Sequence, residues 1–241
     1  MFEGLTVIVM AMNERSSLEQ TVDTVIDVCD KDDIYEIIIV LPSENCPSAQ
    51  TGRSLASSDR GVPIRTYIQT DRNRSVALND SFSEIKSSHF VYIGADLEMD
   101  PVSLRDMIAV SKEKPDSIVC ASKWHKESKV YGLDPLHALG SWTVNRVAAF
   151  ILGSKGTDLF VLYEIYPKSV LDRMRFSAPE NVLYEYTLRP VSEGVEYIEI
   201  PTVFRKRTDG RSTVSLKQNL EFTSGFIKAA LRLRRETLGK R

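Results

Sequence analysis

Cysteine, histidine and long apolar runs are scarce in this sequence. Its 241 residues hold three cysteines, Cys29, Cys46 and Cys120, far apart and in no C-x-x-C or zinc-ligand spacing. That excludes a disulfide framework and predicts a reducing, cytoplasmic setting with the thiols in packing roles. His89, His125 and His137 share no metal or acid–base spacing. No apolar stretch approaches the ~20 residues that span a bilayer, and Glu3 stands where a signal peptide would carry positive charge. P-loop and G-x-G-x-x-G fingerprints are missing, as are internal repeats and low-complexity linkers. The run Gly52-Arg53-Ser54-Leu55-Ala56 falls short of a nucleophile elbow and follows no strand, so it reads as a loop and helix start.

What is present is ordinary for a soluble protein: 42% hydrophobic and 27% charged residues, which excludes collagen-like and disordered classes. A chain of this size buries about 70–75% of its unfolded surface and needs no staple. The net charge of −2 is uneven. From Phe204 to Arg241 there are eleven Lys or Arg against three acids, a segment of +8, which leaves −10 on the preceding residues. The basic tail suggests an anionic ligand or surface nearby, or a solvated helix face. It lacks interleaved aromatics, so nucleic acid is not an expected partner.

The apolar pattern predicts alternating strands and helices. Leu5–Met10, Glu36–Val40, Ile64–Ile68, Phe90–Ile93 and Ser117–Ala121 read as strands. Between them lie helical spacings opened by a capping box at Ser16 and Glu19, by Val76, Ala77 and Ile85, and by Pro101 before Val102–Lys112. The second half predicts a helix over 136–152, a strand over 160–166, helices near 168–174 and 180–192, and a strand over 196–204. Pro201 marks that last strand as an edge or a strand end. Leu216–Leu238 has the spacing of a long amphipathic helix. Short alternation means parallel pairing with helical crossovers, hence one α/β domain: a body over 1–215 with a basic helix over 216–241 as part of it or appended.

In such sheets ligands bind beyond the carboxyl ends of the strands. Three polar segments fall there: Asn13-Glu14, Ser43-Glu44-Asn45 and Asp96-Leu97-Glu98. The third crowds Asp96, Glu98 and Asp100 past one buried strand, and like charges so close repel unless a cation or a positively charged neighbour offsets them. Alternate residues of extended chain point the same way, so Asp96 and Glu98 are placed to share one ion. Oxygen ligands without His or Cys favour Mg²⁺ or Mn²⁺ completed by water and phosphate. Asp100, before Pro101, is equally a helix cap. Trp124 and Trp142 suit either the core or a sugar or lipid groove.

VIVMAMNER at Val7–Arg15, EIIIV at Glu36–Val40, VALNDSF at Val76–Phe82 and IGADLEMDP at Ile93–Pro101 resemble the family 2 glycosyltransferases. TDLFVLYEIYPKSVL from Thr157, the stretch from Glu185 into EIPTVF, and FRKRTDGRSTV at Phe204–Val214 are similar to the dolichyl-phosphate mannose synthase branch. The resemblance covers nearly the whole chain in order. It implies a GT-A fold: a mixed, mostly parallel sheet flanked by helices. It also implies a nucleoside-diphosphate sugar donor, inversion at the anomeric carbon, and a polyprenyl-phosphate or glycan hydroxyl acceptor. By position, Ala11, Asn13 and Glu14, with Ser43, fall in the nucleotide segment. Asp96 matches the second acid of D-x-D, and Glu98 a further ligand. Lys123 stands at a basic position of the branch, and Asp158 in its T-D motif. Arg207, Gly210 and Ser212 match F-x-x-R-x-x-G-x-S on the phosphate and acceptor side.

A hydroxyl acceptor would need a carboxylate base, for which Glu185 or Glu180 is the candidate; a phosphate acceptor needs none. The catalytic set expected is therefore Glu185, Arg207, Lys123 and Asp158. The sequence also departs from the family. Gly94 replaces the first acid of D-x-D, Leu41 and Pro42 replace acids after the second strand, Trp142 replaces an Arg and Thr213 a Lys. These losses motivate an alternative, a protein that binds nucleotide sugars without turning them over. The apolar stripe of the last helix, with its cations, either lies in an anionic membrane interface on the cytoplasmic side or packs on the sheet.

Overall fold

The computed structural model describes residues 1–209 and 216–239. In chain order the elements are β1 (Leu5–Met10), α1 (Ser16–Val28), β2 (Ile34–Leu41), α2 (Ala49–Ser57), β3 (Ile64–Ile68), α3 (Arg74–Ser81), β4 (His89–Gly94), α4 (Ser103–Glu113) and β5 (Ile118–Ser122). Then follow β6 (Lys129–Val130), α5 (Pro135–Leu152), β7 (Glu164–Pro167), α6 (Lys168–Arg173), α7 (Val182–Ser192), β8 (Tyr197–Pro201), β9 (Val203–Phe204) and α8 (Leu216–Gly239).

Seven strands form one sheet in the order β3-β2-β1-β4-β7-β5-β8. All neighbours run parallel except β7, which is antiparallel to both β4 and β5. The reversal follows from the connections. Parallel neighbours need a crossover, which the helices between β1, β2, β3 and β4 supply, whereas β7 enters from the long excursion through α5. β8 ends at Pro201 on the sheet edge, where a missing ladder donor is tolerated.

Period-two alternation decides the two core layers. Val7 and Val9 of β1 face Leu18, Val22 and Val25 of α1 and Leu104 of α4. Ile8 faces the other way, among Phe90, Tyr92, Tyr166 and Tyr186 under α3, α6 and α7. A third cluster joins α5, α7 and α8 through Ala148, Leu188, Phe226, Ala230 and Leu233.

Four local expectations are corrected. The strand anticipated over 160–166 is confined to Glu164–Pro167, because Phe160–Leu162 turn aside to line a cavity. A two-stranded parallel sheet of β6 and β9 forms where no strand pair was expected. The capping box at Ser16 does not close, since α1 has no side-chain cap of its own. Instead the Asp209 carboxylate accepts from the Arg15 backbone N–H (2.9 Å) and the Ser16 hydroxyl (3.2 Å). The apolar stripe of α8 is core: Phe226, Ala229, Ala230 and Leu233 are buried against α5 and α7, while Leu220 and Leu231 stay exposed. That packing removes its central residues from any lipid contact. No helix among the described residues is long and apolar enough to cross a membrane.

Candidate active site

The carboxyl ends of β1, β2 and β4 open into a cavity of about 470 Å³. Its polar end is set by the loops after those strands. Ala11, Asn13 and Glu14 come from the β1 loop, Pro42 follows β2, and Gly94 and Asp96 end β4. Arg207 reaches in from the chain after β9. The opposite wall is apolar, formed by Leu159, Phe160, Leu162, Leu183, Phe222 and Phe226. One cavity therefore joins a charged mouth to a hydrophobic chamber.

Glu14 is buried and its Oε2 accepts from the backbone N–H groups of Met12 (2.6 Å) and Asn13 (2.9 Å). It shapes the β1 loop from within. Ser43 is exposed and off the wall; Pro42 occupies its expected place.

Asp96 and Glu98 do converge, though by a turn and not by extended alternation. Leu97 between them takes φ +60°, a left-handed conformation costly for a branched side chain. The Glu98 N–H donates to Asp96 Oδ1 (3.1 Å), closing the turn. The segment 203–208 is stitched onto it: Arg205 N–H donates to the Glu98 carbonyl (2.8 Å) and Thr208 N–H to the Asp96 carbonyl (3.3 Å). This places the Arg207 guanidinium between the two acids, Nη2 at 3.2 Å from Asp96 Oδ2 and Nε at 3.1 Å from Glu98 Oε1. Burial, then the charge of Asp96, pushes the Glu98 carboxyl above its usual range, while Arg207 and Lys123 oppose the rise. Asp100 is used otherwise. Its carboxylate accepts from the Val102 N–H (3.1 Å) and pairs with Arg205 (2.8 Å), in the turn that leads into α4, whose cap position is Val102 and carries no side-chain hydrogen bond.

Gly94 stands where the first acid of D-x-D was expected, close against Asp96. A Cβ there would sit 3.1 Å from Asp96 Oδ1, so any side chain crowds the carboxylate in its present place. The donor set is thus two carboxylates, and no group of three or more metal-ligating side chains exists among the described residues. Two hard oxygen donors suit Mg²⁺ or Mn²⁺, which keep several waters and take phosphate oxygens.

Lys123 and Asp158 meet behind this turn, away from the cavity wall. Lys123 Nζ lies 3.2 Å from Asp158 Oδ1, and its backbone N–H donates to Oδ2 (3.1 Å). Asp158 is wholly buried, and its own N–H donates to Glu199 Oε1 (2.6 Å). Their effect on the acid turn is electrostatic, the Lys123 charge opposing the rise at Glu98. Glu185 is brought nowhere near the cleft. It is fully buried between α7 and α8, paired with Arg189 (2.7 Å) and with Arg232, and it accepts from the Ser177 N–H (3.1 Å) and hydroxyl. A carboxylate so occupied has no lone pair left for a substrate, so the base expected there is not supplied. Glu180 is exposed on a short turn off the wall. Gly210 and Ser212 lie outside the described residues.

Sequence reasoning missed Gln69, Arg72 and Arg74, which follow β3 and reach the charged mouth. The signal was available: the run Asp71-Arg72-Asn73-Arg74 stands past a parallel strand, where the same rule about strand ends applies.

Residues 6–173 match glycosyl transferase family 2. The chain belongs to that family. Its fold is similar to that of glucosyl-3-phosphoglycerate synthase from Mycobacterium tuberculosis. The complex of that enzyme with Mn²⁺, uridine diphosphate and glucosyl-3-phosphoglycerate aligns with a TM-score of 0.63 at 12% identity, over 96% of this chain and 80% of that one. The complex with Mg²⁺ and uridine diphosphate gives 0.65 at 14%, over 96% and 79%. A further mycobacterial protein gives 0.65 at 13%, over 96% and 74%. At such identities the likeness establishes the family 2 architecture, the GT-A arrangement of sheet and helices, and leaves the site to be argued from its own residues.

Proposed function

We propose that this family 2 glycosyltransferase moves a sugar from a nucleoside-diphosphate donor, with inversion, to an acceptor that joins a phosphate to an apolar chain. Mg²⁺ or Mn²⁺ held by Asp96 and Glu98 is its cofactor. The observation that carries this is the cavity's polarity. A mouth with Arg72, Arg74 and Arg207 suits phosphate oxygens, and a chamber of Phe160, Phe222 and Phe226 suits an aliphatic tail. The only acids on its described wall are Glu14, tied to its own loop, and Asp96, held by Arg207. Neither is placed as a free base. A hydroxyl acceptor lacks the group that would take its proton, whereas a phosphate arrives already anionic.

The divalent ion, when bound, offsets charge on the departing diphosphate. The protein's share is positional. The β1 loop, held by Glu14, presents Ala11 and Asn13 to the nucleotide. Lys123, held by Asp158, lends its charge to the Glu98 side of the acid turn. Arg207, a cation on the cavity wall, would offset charge developing on the phosphate oxygens. The neighbours' complexes with uridine diphosphate, Mn²⁺ and phosphoglyceric acid support a diphosphate donor and a phosphorylated acceptor for this fold. A lipid-linked acceptor would be met at an anionic membrane on the cytoplasmic side, and the exposed cations Lys228 and Arg235 near exposed Leu231 are the contact that role would use.

Gly94 and Pro42 favour a second reading, binding without turnover. Labelled UDP- and GDP-sugars with Mn²⁺, offered a polyprenyl phosphate or the corresponding free alcohol, separate the outcomes. Transfer to the phosphate alone is expected. Transfer to the alcohol overturns the acceptor chemistry, and tight donor binding without transfer to either replaces the enzyme with a binding protein.

A further inference from the structure

Helix α5 carries an apolar face that no described element covers. Asp134 starts it, accepting from the N–H groups of Leu136 and His137 (3.1 Å each) with Pro135 in the first turn. Gly153 ends it in the left-handed conformation (φ +69°) that a C-terminal stop requires. Both caps are in place, so the helix persists for 18 residues on local chemistry and on Ala148 and Ala149 buried beneath it. Its outer side presents Leu136 (77% exposed), Leu139, Trp142 (45%), Val147 and Phe150 (88%). At 100° per residue these five fall within an arc of about 140°, one continuous stripe roughly 21 Å long. A lone exposed leucine needs no explanation, but a stripe of this size does.

We infer that this stripe is a homodimer interface, in which α5 of one chain packs antiparallel on α5 of a second copy about a two-fold axis at Thr143. The sequence of the face is self-complementary about that point, as an isologous interface requires. Leu136 then meets Phe150 of the other copy and Leu139 meets its Val147. Arg146, whose guanidinium lies 5.8 Å from the Trp142 ring, falls opposite Gly140, where a Cβ would find nothing within 4 Å. The ends match in charge as well, since Asp134 at the start of one helix approaches the exposed Lys155 beyond the end of the other. The exposed parts of the five side chains amount to roughly 600 Å² per copy, by the sizes of such residues. Two copies thus reach the ~1,200 Å² at which specific interfaces begin. A lipid surface fits less well. An anionic leaflet draws on several cations, and this face has only Arg146 within it. The inference is independent of the acceptor chemistry, because the stripe contributes no residue to the cavity wall.

Sedimentation velocity on the full chain across a wide concentration range should show a reversible monomer–dimer equilibrium. Phe150→Asp and Leu139→Glu, each at an exposed position, should weaken it at least tenfold, with thermal melting unchanged at concentrations where the parent is monomeric. Under oxidation Thr143→Cys should give a covalent dimer, since identical residues meet at the axis. Leu136→Cys should not, because its copies would lie about 21 Å apart at 1.5 Å per residue. A monomer at every concentration, a dimer indifferent to both charge substitutions, or binding of the monomer to anionic vesicles that Phe150→Asp abolishes would each overturn the inference.

Discussion

A guanidinium bonded to two carboxylates is a substitute for the ion those carboxylates would otherwise hold. Arg207 sits 3.2 Å from Asp96 and 3.1 Å from Glu98, so a divalent cation must compete with it. Two single substitutions should therefore move metal binding in opposite directions. Asp96→Asn removes a formal charge and a hard ligand. Mn²⁺-dependent binding of nucleoside diphosphate should fall at least tenfold while the melting temperature stays put, as titration calorimetry with and without Mn²⁺ would show. Arg207→Gln leaves the acids uncompensated. Electron paramagnetic resonance should find Mn²⁺ bound more tightly to the nucleotide-free variant than to the parent, while kcat falls more than KM rises. Weaker Mn²⁺ binding in that variant would mean the arginine orders the turn and does not compete. At this scale the sequence was partly readable. Charge crowding after a buried strand pointed to Asp96 and Glu98, and motif position pointed to Arg207. Glu185 was misplaced because helical spacing says nothing about which neighbour, here Arg189 and Arg232, will occupy a carboxylate.

At the scale of elements, the chain after β9 does more than deliver Arg207. Two residues on, Asp209 caps α1 from across the cleft, taking the place of the local Ser16–Glu19 box. Asp209→Ala should cost about 1 kcal/mol, the usual worth of such a cap. In a chain of this length that lowers the melting temperature by about 2–4 °C. Calorimetry checks it, and no change would show that Ser16 recaps the helix locally. Glu19→Ala, by contrast, should leave stability within ~0.5 kcal/mol, since its carboxylate is exposed and, among the described residues, is bound by Arg60 alone. Strands were legible where burial on both faces makes near-continuous apolar runs, as in β1, β2, β4 and β5. They were not where pairing depends on remote partners, as for β6 and β9, whose two-residue strands carry no period. The run from Phe160 misled for a related reason: apolar residues lining a cavity and apolar residues in a strand look alike in one dimension. The fate of α8 followed the same ambiguity, resolved by α5 and α7 covering its stripe.

At the scale of the whole molecule, one source of pH dependence is Glu164, buried in an interior cluster of acids. Glu164 on β7 is fully buried, accepts from the Thr187 hydroxyl (2.9 Å) and lies 2.7 Å from the Tyr197 hydroxyl. Burial raises its pKa to about 8, and the nearby Asp158 and Glu199 add to the rise against those two hydrogen bonds. Lys123, held by Asp158, is the cation on that side, and Cys120, Tyr166 and Tyr186 around it are all pushed upward by burial and stay neutral. The native state thus keeps a proton on Glu164 that the unfolded chain releases near pH 4.5. A group whose folded pKa is raised contributes stability that is complete below the unfolded value and is lost as pH climbs through the folded one. His89 works in the other direction. Burial lowers its pKa, so its effect on stability is confined to the acid side of 6.5 and favours higher pH. Glu164→Gln keeps the shape and an acceptor oxygen while removing the titration. Urea unfolding at steps between about pH 5 and 9 should show the variant gaining on the parent as pH rises, with the difference levelling off above about pH 8. His89 is common to both proteins and cancels. Parallel stability curves would mean that Glu164 is already ionised in the native state, with Lys123 or solvent reaching it.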